Sequence, residues 1–220
     1  MEILPKSGEI IILYSWRIYC IWVLMPRIDP TLWILDRERA YKRMIRDQYI
    51  GYLDPGVRDI LEDIFRIDGY YPTSSCIGRI VAIDAPTPWR RRDSHIILKK
   101  HSEIEEKEVV SLLEIPVLAT LWLITSGPIF HIMARTPRHA LILLRRAREA
   151  GFKHSGLLAS SRRGYLVELV TGIWIDIPLK VSDRVLVSRS EIGSIVYIVN
   201  NALREGRERL SALRRALKSL

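Results

Sequence analysis

Residues 73–79 gather several groups that can bind an anion into one short run. The run reads Thr-Ser-Ser-Cys-Ile-Gly-Arg, with two tyrosines shortly before it and apolar residues after it. Hydroxyl groups, a glycine that lets backbone N–H groups approach a ligand, and an arginine fork together suit an anionic or carboxylate-bearing ligand. The alternative is a tight turn at the entry to a strand, with side chains satisfied locally. The candidate ligand-binding residues are Ser74, Ser75, Gly78 and Arg79.

Two later segments place ionisable side chains among apolar residues. His131 stands alone in the apolar run 128–132, and residues 151–156 set a lysine, a histidine and a serine between two glycines. A histidine in an apolar strand can be held rigidly and can exchange a proton near neutral pH. It can equally be a core histidine that bonds to a carbonyl group. The candidates from the second segment are Lys153 and Ser155, although a lysine after a helix end is commonly just solvated.

The three segments together, in this order and at these spacings, resemble the tRNA wybutosine-synthesizing protein 3 family. The resemblance extends from about residue 29 to the C-terminus and includes the runs 52–54, 176–178 and 186–188. It implies a methyltransferase that takes its methyl group from S-adenosylmethionine. It also implies the acceptor, the N4 nitrogen of the tricyclic modified guanosine beside the anticodon of phenylalanine tRNA, and hence a role in wybutosine biosynthesis.

Position 77 departs from the family pattern, because Ile77 stands where a small residue, often serine, is usual. The larger side chain either changes the shape of the ligand-binding turn or points into the core. Ile77 also motivates an alternative function, a non-catalytic tRNA- or RNA-binding relative that keeps the fold but has lost the site for the methyl donor. A second alternative is a paralogue that acts on a different wyosine-type intermediate.

The implied reaction assigns roles to the candidate residues. Methyl transfer from a sulfonium is an in-line displacement, so the enzyme must chiefly align the nitrogen with the methyl carbon, and no metal ion is required. The nitrogen loses a proton, which calls for a general base, and the candidates are His131 and Asp84. The run 73–79 binds either the amino-acid end of S-adenosylmethionine or a tRNA phosphate, and Ser155 lies on the opposite wall. Cys76 is better explained as a small packed residue than as a nucleophile.

The segment after the predicted strand 79–84 is the first candidate for contact with RNA. A tryptophan is followed there by three arginines, and an indole beside guanidinium groups can stack on an unpaired base while neutralising phosphates. A solvated turn is the alternative. The candidate RNA-binding residues are Trp89, Arg90, Arg91, Arg92, Lys99 and Lys153.

Composition limits the partners and the compartment. The formal net charge of +9 favours a polyanionic partner or an anionic membrane surface, although a basic, heat-adapted proteome gives the same balance. Cys20 and Cys76 are the only cysteines, and the five histidines lack the spacing of zinc proteases, so the sequence predicts no metal site. Sparse cysteines favour a reducing cytoplasm.

The first 24 residues differ in character from the rest. Residues 10–24 are apolar except for Ser15 and Arg17, and the stretch is short for a membrane-spanning helix. We interpret residues 1–24 as a doubtful extension, with Met25 as the alternative translation start. If the segment is translated, an added strand or a partner-binding surface is favoured over a membrane anchor.

Residues 25–220 are predicted to form one α+β domain. We expect a mixed, largely antiparallel sheet with flanking helices and a long C-terminal helix. The chain lacks the glycine-rich loop and distant acidic residue of a Rossmann-type methyltransferase, in agreement with the fold that the resemblance implies.

Local signals predict where several elements begin. Aspartate or threonine followed by proline predicts capped helix starts at residues 29–30, 54–55 and 136–137. Strands near residues 119–125 and 129–135 are predicted to pair as a hairpin, because a Ser-Gly-Pro sequence lies between them.

Overall fold

Helices and strands alternate in groups along the chain, as the α+β prediction requires. The computed structural model describes residues 10–14, 17–21 and 26–218. Its helices are α1 (Pro30–Tyr49), α2 (Arg58–Arg66), α3 (Glu106–Glu114), α4 (Pro137–Glu149) and α5 (Ile192–Leu217). Its strands are β1 (Ile10–Tyr14), β2 (Arg17–Ile21), β3 (Tyr70–Cys76), β4 (Arg79–Asp84), β5 (His95–Lys100), β6 (Thr120–Ser126), β7 (Ile129–Ala134), β8 (Gly156–Ser161), β9 (Gly164–Val170), β10 (Trp174–Val181) and β11 (Arg184–Val185).

Side-chain caps begin α1 and α4 where the sequence predicts them. Asp29 Oδ1 accepts the backbone N–H groups of Thr31 at 3.0 Å and Leu32 at 3.2 Å. Thr136 Oγ1 accepts the backbone N–H of His139 at 3.2 Å. A proline stands in the first turn of both helices, where its missing N–H group costs no hydrogen bond. Both predicted helix starts are confirmed.

The third predicted cap is wrong. α2 begins only at Arg58, and no side chain in the described part of the chain caps it. The Asp54 carboxylate instead accepts the backbone N–H of Ile77, with Oδ2 at 3.0 Å from the nitrogen. A contact between residues distant in sequence therefore replaces the local cap, and it ties the segment before α2 to the polar run 73–79.

The described strand pairs are all antiparallel and are divided between sheets. One sheet has four strands in the order β3-β7-β9-β8, and another has five in the order β11-β10-β6-β4-β5. The α+β class and the long C-terminal helix are thus confirmed. The strands form separate antiparallel sheets in place of the single mixed sheet of the sequence prediction.

The predicted hairpin around residues 126–128 is wrong, because this segment carries the chain from one sheet to the other. β6 pairs with β4 and β10, whereas β7 pairs with β3 and β9. The Gly127 N–H donates to Ile173 O at 2.8 Å, and a Cβ at Gly127 would lie 2.2 Å from Thr171 Oγ1. A second crossover, between β9 and β10, therefore packs against the first and fixes it.

Helix α5 packs against the cores of both larger sheets. Its 26 residues correspond to a length of about 39 Å. The core on the four-stranded sheet includes Phe130, Ile132 and, from the end of α5, Leu213. The core on the five-stranded sheet includes Leu121, Leu123 and, from the first half of α5, Val199.

The N-terminal segment contains β1 and β2, which pair antiparallel with each other. Met25, the alternative translation start, lies outside the described residues. Among the helices described here, none has the length and hydropathy needed to cross a bilayer.

Candidate active site

Three polar side chains form one row across the four-stranded sheet. Ser74 on β3, His131 on β7 and Glu168 on β9 are cross-strand neighbours in register. Ser74 Oγ lies 2.7 Å from His131 Nδ1, and His131 Nε2 lies 3.0 Å from Glu168 Oε1. Because side chains alternate between the two faces of a strand, the flanking residues Phe130 and Ile132 point into the core. We call Ser74, His131 and Glu168 the polar row.

The hydrogen bonds of the polar row define which group donates at each step. An ionised carboxylate only accepts, so His131 Nε2 carries a hydrogen that it donates to Glu168. In a neutral ring, His131 Nδ1 then accepts the hydrogen of the Ser74 hydroxyl. A protonated ring would donate to both neighbours. The row can therefore take up one proton at His131 Nδ1, and the carboxylate stabilises the resulting positive charge.

In the segment 151–156, Gly156 contacts the polar row and Ser155 does not. Gly156 on β8 pairs with Glu168, and among the residues described no atom beyond its chain neighbours lies within 4 Å of the position that a Cβ would occupy. The buried Ser155 hydroxyl donates to Phe152 O at 2.7 Å and accepts the Val170 N–H at 3.0 Å. Ser155 thus holds the turn before β8, while Gly156 leaves space beside the carboxylate.

A cavity of about 570 Å³ adjoins the polar row. It lies between the C-terminal half of α1, residues 50–54 and β3, and Ser74, Ser75, Cys76 and Arg79 line it. Small-molecule sites commonly have volumes of roughly 300–1,000 Å³. Ser74 therefore belongs both to the cavity wall and to the polar row.

Basic side chains surround this cavity. Arg43, Arg46, Arg79 and Lys99 line it, and the Arg46 guanidinium pairs with Asp47 at 2.7 Å. The Arg43 guanidinium donates to the carbonyl group of Thr73. In the part of the chain that the structure describes, no residue forms a hydrogen bond or an ion pair with the Arg79 guanidinium. Arg79 is thus available to an anionic ligand.

The turn at Gly78 places Arg79 on the cavity wall. Gly78 has φ +90°, and a Cβ there would lie 2.8 Å from the backbone oxygen of Ser126. Glycine alone tolerates this conformation and this approach without strain.

Ser74, Ser75 and Cys76 are strand residues, so the predicted strand-entry turn is limited to positions 77–78. Ile77 is buried in the core, which is one of the two placements that the sequence allows for its larger side chain.

The Cys76 thiol is not an activated nucleophile in this setting. Burial raises the pKa of Cys76, although the N–H of Gly78 acts in the opposite direction. The nearby Asp54 carboxylate adds to the increase in pKa. A thiol attacks as its thiolate, so these surroundings agree with the interpretation of Cys76 as a non-nucleophilic residue.

The structure does not bring Asp84 to the polar row. Asp84 ends β4, five residues and therefore ~17 Å along the strand from Arg79. It is buried, and its carboxylate accepts the N–H groups of Leu118 at 2.7 Å and Ala119 at 2.9 Å. Both carboxylate oxygens of Asp84 thus hold the entry to β6.

The candidate RNA-binding residues fall in different places. Trp89 is 76% exposed in the loop that follows Asp84, with Arg90 and Arg92 also exposed beside it. That loop follows Asp84, at the opposite end of β4 from Arg79. Lys99 lines the cavity, and Lys153 is exposed in the turn before β8. Arg91 begins a short 3-10 turn in the same loop.

Comparison with known proteins decides the family. The family described as Methyltransferase TYW3, the tRNA wybutosine-synthesizing protein 3 family, matches residues 36–219. The chain belongs to this family. The resemblance carried by the three motifs is therefore confirmed.

Curated relatives cover most of the chain. One from Saccharolobus solfataricus is 40% identical over 189 residues, which are 86% of this chain and 90% of the relative. One from Aeropyrum pernix is 32% identical over 178 residues, which are 80% of this chain and 94% of the relative. Both relatives are named tRNA(Phe) 7-((3-amino-3-carboxypropyl)-4-demethylwyosine(37)-N(4))-methyltransferase.

Solved structures of similar proteins share the fold. A protein from Pyrococcus horikoshii has a TM-score of 0.80 and 26% identity, with 85% of this chain and 96% of that chain covered. A hypothetical protein from Aeropyrum pernix has a TM-score of 0.69 and 30% identity, with 76% of this chain and 98% of that chain covered.

Sequence reasoning missed two residues at this site of the Methyltransferase TYW3 fold. Glu168 stands alone among the apolar residues of β9, which is the same signal that identified His131 on β7. Tyr52 lines the cavity and is 81% exposed. An exposed aromatic residue at a cavity wall is recognised only once the fold brings residues 50–54 against β3.

Proposed function

We propose that this protein is an S-adenosylmethionine-dependent methyltransferase of wybutosine biosynthesis. It methylates the N4 nitrogen of the tricyclic modified guanosine beside the anticodon of phenylalanine tRNA, and it acts in the cytoplasm. The observation that carries the proposal is that Ser74 both lines the cavity and bonds to His131. Ser74 thus connects a cavity large enough for a ligand with His131, which can accept a proton, in a fold of a methyltransferase family.

The cavity wall around Arg79 binds the amino-acid end of S-adenosylmethionine. The Arg79 guanidinium has no partner among the residues described, so it can donate two parallel hydrogen bonds to the carboxylate of S-adenosylmethionine. The Ser75 hydroxyl lines the same wall and can bind the same group. Anchoring this end of the donor fixes the direction of the sulfonium methyl group, and an in-line displacement depends on that direction.

The polar row receives the proton that the acceptor nitrogen loses. As the N–CH₃ bond forms, the S–CH₃ bond breaks and leaves neutral S-adenosylhomocysteine. The proton of the nitrogen passes to Ser74 Oγ while the Ser74 proton passes to His131 Nδ1, 2.7 Å away. Glu168 Oε1, 3.0 Å from His131 Nε2, holds the ring and stabilises its charge. Glu168 is therefore a positioning residue.

The rim of the cavity is the favoured contact surface for tRNA. Tyr52 is exposed on the cavity wall, and Tyr49 at the end of α1 is 91% exposed. Arg43 and Arg46 line the same cavity. Aromatic rings beside guanidinium groups stack on unpaired bases and neutralise phosphates, as recognition of an anticodon loop requires. The loop at Trp89 is a second proposed contact, remote from the methyl donor.

Methyl transfer to a defined tRNA tests the proposal. The full chain is incubated with methyl-labelled S-adenosylmethionine and phenylalanine tRNA that carries the demethylated precursor, and the digested nucleosides are analysed by mass spectrometry. We expect one added methyl group on the tricyclic nucleoside, and none on unmodified tRNA. Binding of tRNA without methyl transfer or donor binding would instead identify the non-catalytic RNA-binding relative.

A further inference from the structure

Three residues that are far apart in sequence meet beside the cavity. Asp54 precedes α2, Cys76 ends β3, and His101 follows β5. A carboxylate oxygen, the sulfur and an imidazole nitrogen of these residues all lie within 4.8 Å of one another. Each residue is partly buried, and Asp54 and Cys76 also line the cavity. We call these three residues the ligand cluster.

The imidazole of His101 faces an acceptor on both sides. His101 Nδ1 lies 3.1 Å from the carbonyl oxygen of Gly78, which only accepts, so Nδ1 carries a hydrogen. His101 Nε2 lies 3.2 Å from Asp54 Oδ1, which also only accepts. Two lone pairs at that distance repel each other unless a cation or a proton lies between them. The pair is therefore arranged to receive a positive charge.

Backbone groups already hold the three side chains in place. The Gly78 carbonyl accepts from the ring nitrogen of His101 that faces away from the cluster. The second oxygen of Asp54, Oδ2, accepts the Ile77 N–H at 3.0 Å, so Oδ1 is the oxygen left facing the histidine. Metal-binding histidines characteristically donate their other N–H to a carbonyl or carboxylate, and ligating carboxylates are themselves hydrogen-bonded. The ligand cluster has both features.

We propose that Asp54, Cys76 and His101 bind one divalent cation of the zinc class. One thiolate, one imidazole and one carboxylate form a donor set that favours zinc over magnesium or calcium. In a tetrahedral site with bonds of about 2.0 Å, the nitrogen and oxygen ligands are about 3.3 Å apart. His101 Nε2 and Asp54 Oδ1 are 3.2 Å apart. A water molecule completes the four ligands of such a site.

The bound cation joins three segments at the turn that presents Arg79. A metal–sulfur bond forms as the S–H bond of Cys76 breaks, and the proton is released to solvent. The cation then links residue 54, the end of β3 and the residue after β5, so it stabilises the turn 77–78 directly. Sequence motifs predict no metal here, because the three ligands come from separate elements.

Cobalt titration of the full, untagged chain tests the site without reference to methyl transfer. The protein is stripped with a chelator under reducing conditions and titrated with Co²⁺. We expect saturation at one equivalent, a thiolate-to-cobalt charge-transfer band, tetrahedral cobalt absorption, release of one proton, and displacement by Zn²⁺. Zn²⁺ should also raise the melting temperature of the unsubstituted protein, and Mg²⁺ should not.

Matched variants assign the ligands. Cys76→Ser should abolish the charge-transfer band, whereas Cys20→Ser, at the only other cysteine, should retain it. Asp54→Asn and His101→Gln should each weaken Co²⁺ binding by roughly 10- to 100-fold or more. Absence of the band in the unsubstituted protein, or its survival in a folded Cys76→Ser variant, would overturn the proposal. Asp54 and His101 would then form an ordinary ion pair. The titration of the unsubstituted chain decides the question even if a variant fails to fold.

Discussion

Ser74 and His131 are 57 residues apart in sequence, and their side chains share a hydrogen bond of 2.7 Å. The bond joins two motifs that the sequence presents separately, one rich in hydroxyl groups and one holding a lone histidine. Because Ser74 also lines the cavity, the contact connects a ligand-binding wall to a group that accepts a proton. Both the proposed chemistry and its most direct tests depend on this contact.

Replacing Glu168 should slow catalysis without weakening substrate binding. Glu168→Gln keeps the size of the side chain but removes the charge that stabilises a protonated His131, with which it shares a 3.0 Å contact. We expect kcat to fall roughly 10- to 100-fold with little change in KM, and the pH dependence of kcat to change. Steady-state methyl transfer across pH measures this. Glu208→Gln, at an exposed position on α5, is the matched control. An equal loss in both variants, or a loss only in KM, would contradict the role of Glu168.

Replacing Arg79 should weaken binding of the methyl donor. The Arg79 guanidinium lines the cavity and has no partner among the residues described, so Arg79→Ala should leave the fold intact. We expect the dissociation constant for S-adenosylmethionine to rise at least ~10-fold, because a charge-assisted hydrogen bond is lost. Calorimetry measures the change. Arg145→Ala, at an exposed position on α4, should bind normally. If Arg79→Ala binds S-adenosylmethionine with unchanged affinity, Arg79 does not bind the methyl donor, and a tRNA phosphate becomes its proposed ligand.

Replacing Tyr52 should weaken tRNA binding more than replacing Trp89. Stacking of one base on an aromatic ring is worth about 1–3 kcal/mol, so Tyr52→Ala should raise the dissociation constant about 5- to 150-fold. Filter binding at fixed salt compares Tyr52→Ala with Trp89→Ala, both at exposed aromatic residues. The opposite ranking would place the main RNA contact on the loop 89–92.

Substituting Gly78 should destabilise the protein. Gly78→Ala puts a Cβ 2.8 Å from the Ser126 backbone oxygen and forces φ +90° on a residue that resists it. We expect a loss of about 2 kcal/mol or more in the free energy of unfolding. Gly56→Ala is the control, because Gly56 has φ +75° but, within the described ranges, no atom beyond its chain neighbours lies within 4 Å of the added Cβ. Denaturant titration of both variants separates the close approach from the backbone strain, and equal losses would show that the approach to Ser126 is unimportant.

Asp63 should make stability depend on pH in the acid range. A hydrogen bond from Arg214, with Nε 2.7 Å from Asp63 Oδ2, lowers the pKa of Asp63 below its usual value. A carboxyl with a lower pKa in the folded state stabilises the fold above its unfolded pKa of about 3.9. That contribution is lost as the pH falls through the folded pKa. Asp63→Asn should therefore lower the melting temperature at neutral pH, and the difference should close in strong acid. A difference that is independent of pH would contradict this.

Local signals predicted helix starts well and strand partners poorly. Asp29 and Thr136 cap the helices that follow them, because a cap depends on only four or five residues. Asp54 carries the same local signal, but its carboxylate bonds to Ile77, 23 residues later. The Ser-Gly-Pro sequence at 126–128 is typical of a turn, yet the sheet that each flanking strand joins depends on packing that no local pattern contains.

The candidate site was predicted in part. The sequence singles out Ser74 and His131 separately, since each is a polar residue beside apolar strand residues, and the structure brings the two side chains into contact. Glu168 shows the same signal but was missed, because a single glutamate is common on a half-exposed strand. The sequence favours Ser155 as a ligand-binding residue, but in the structure its hydroxyl bonds to Phe152 O and to the Val170 N–H and holds a turn. Whether a hydroxyl faces a ligand or the backbone is decided by its rotamer and neighbours, which sequence does not specify.

The most direct test is single-turnover methyl transfer by the unsubstituted chain and by His131→Gln. Excess enzyme is mixed with labelled S-adenosylmethionine and precursor phenylalanine tRNA, while donor binding and tRNA binding are measured separately. We predict transfer to N4 by the unsubstituted chain and a rate at least ~100-fold lower for His131→Gln, with both binding affinities retained. Transfer at the same rate by both proteins would contradict the role of the polar row. No transfer by the unsubstituted chain, despite tRNA binding, would contradict the proposed enzyme.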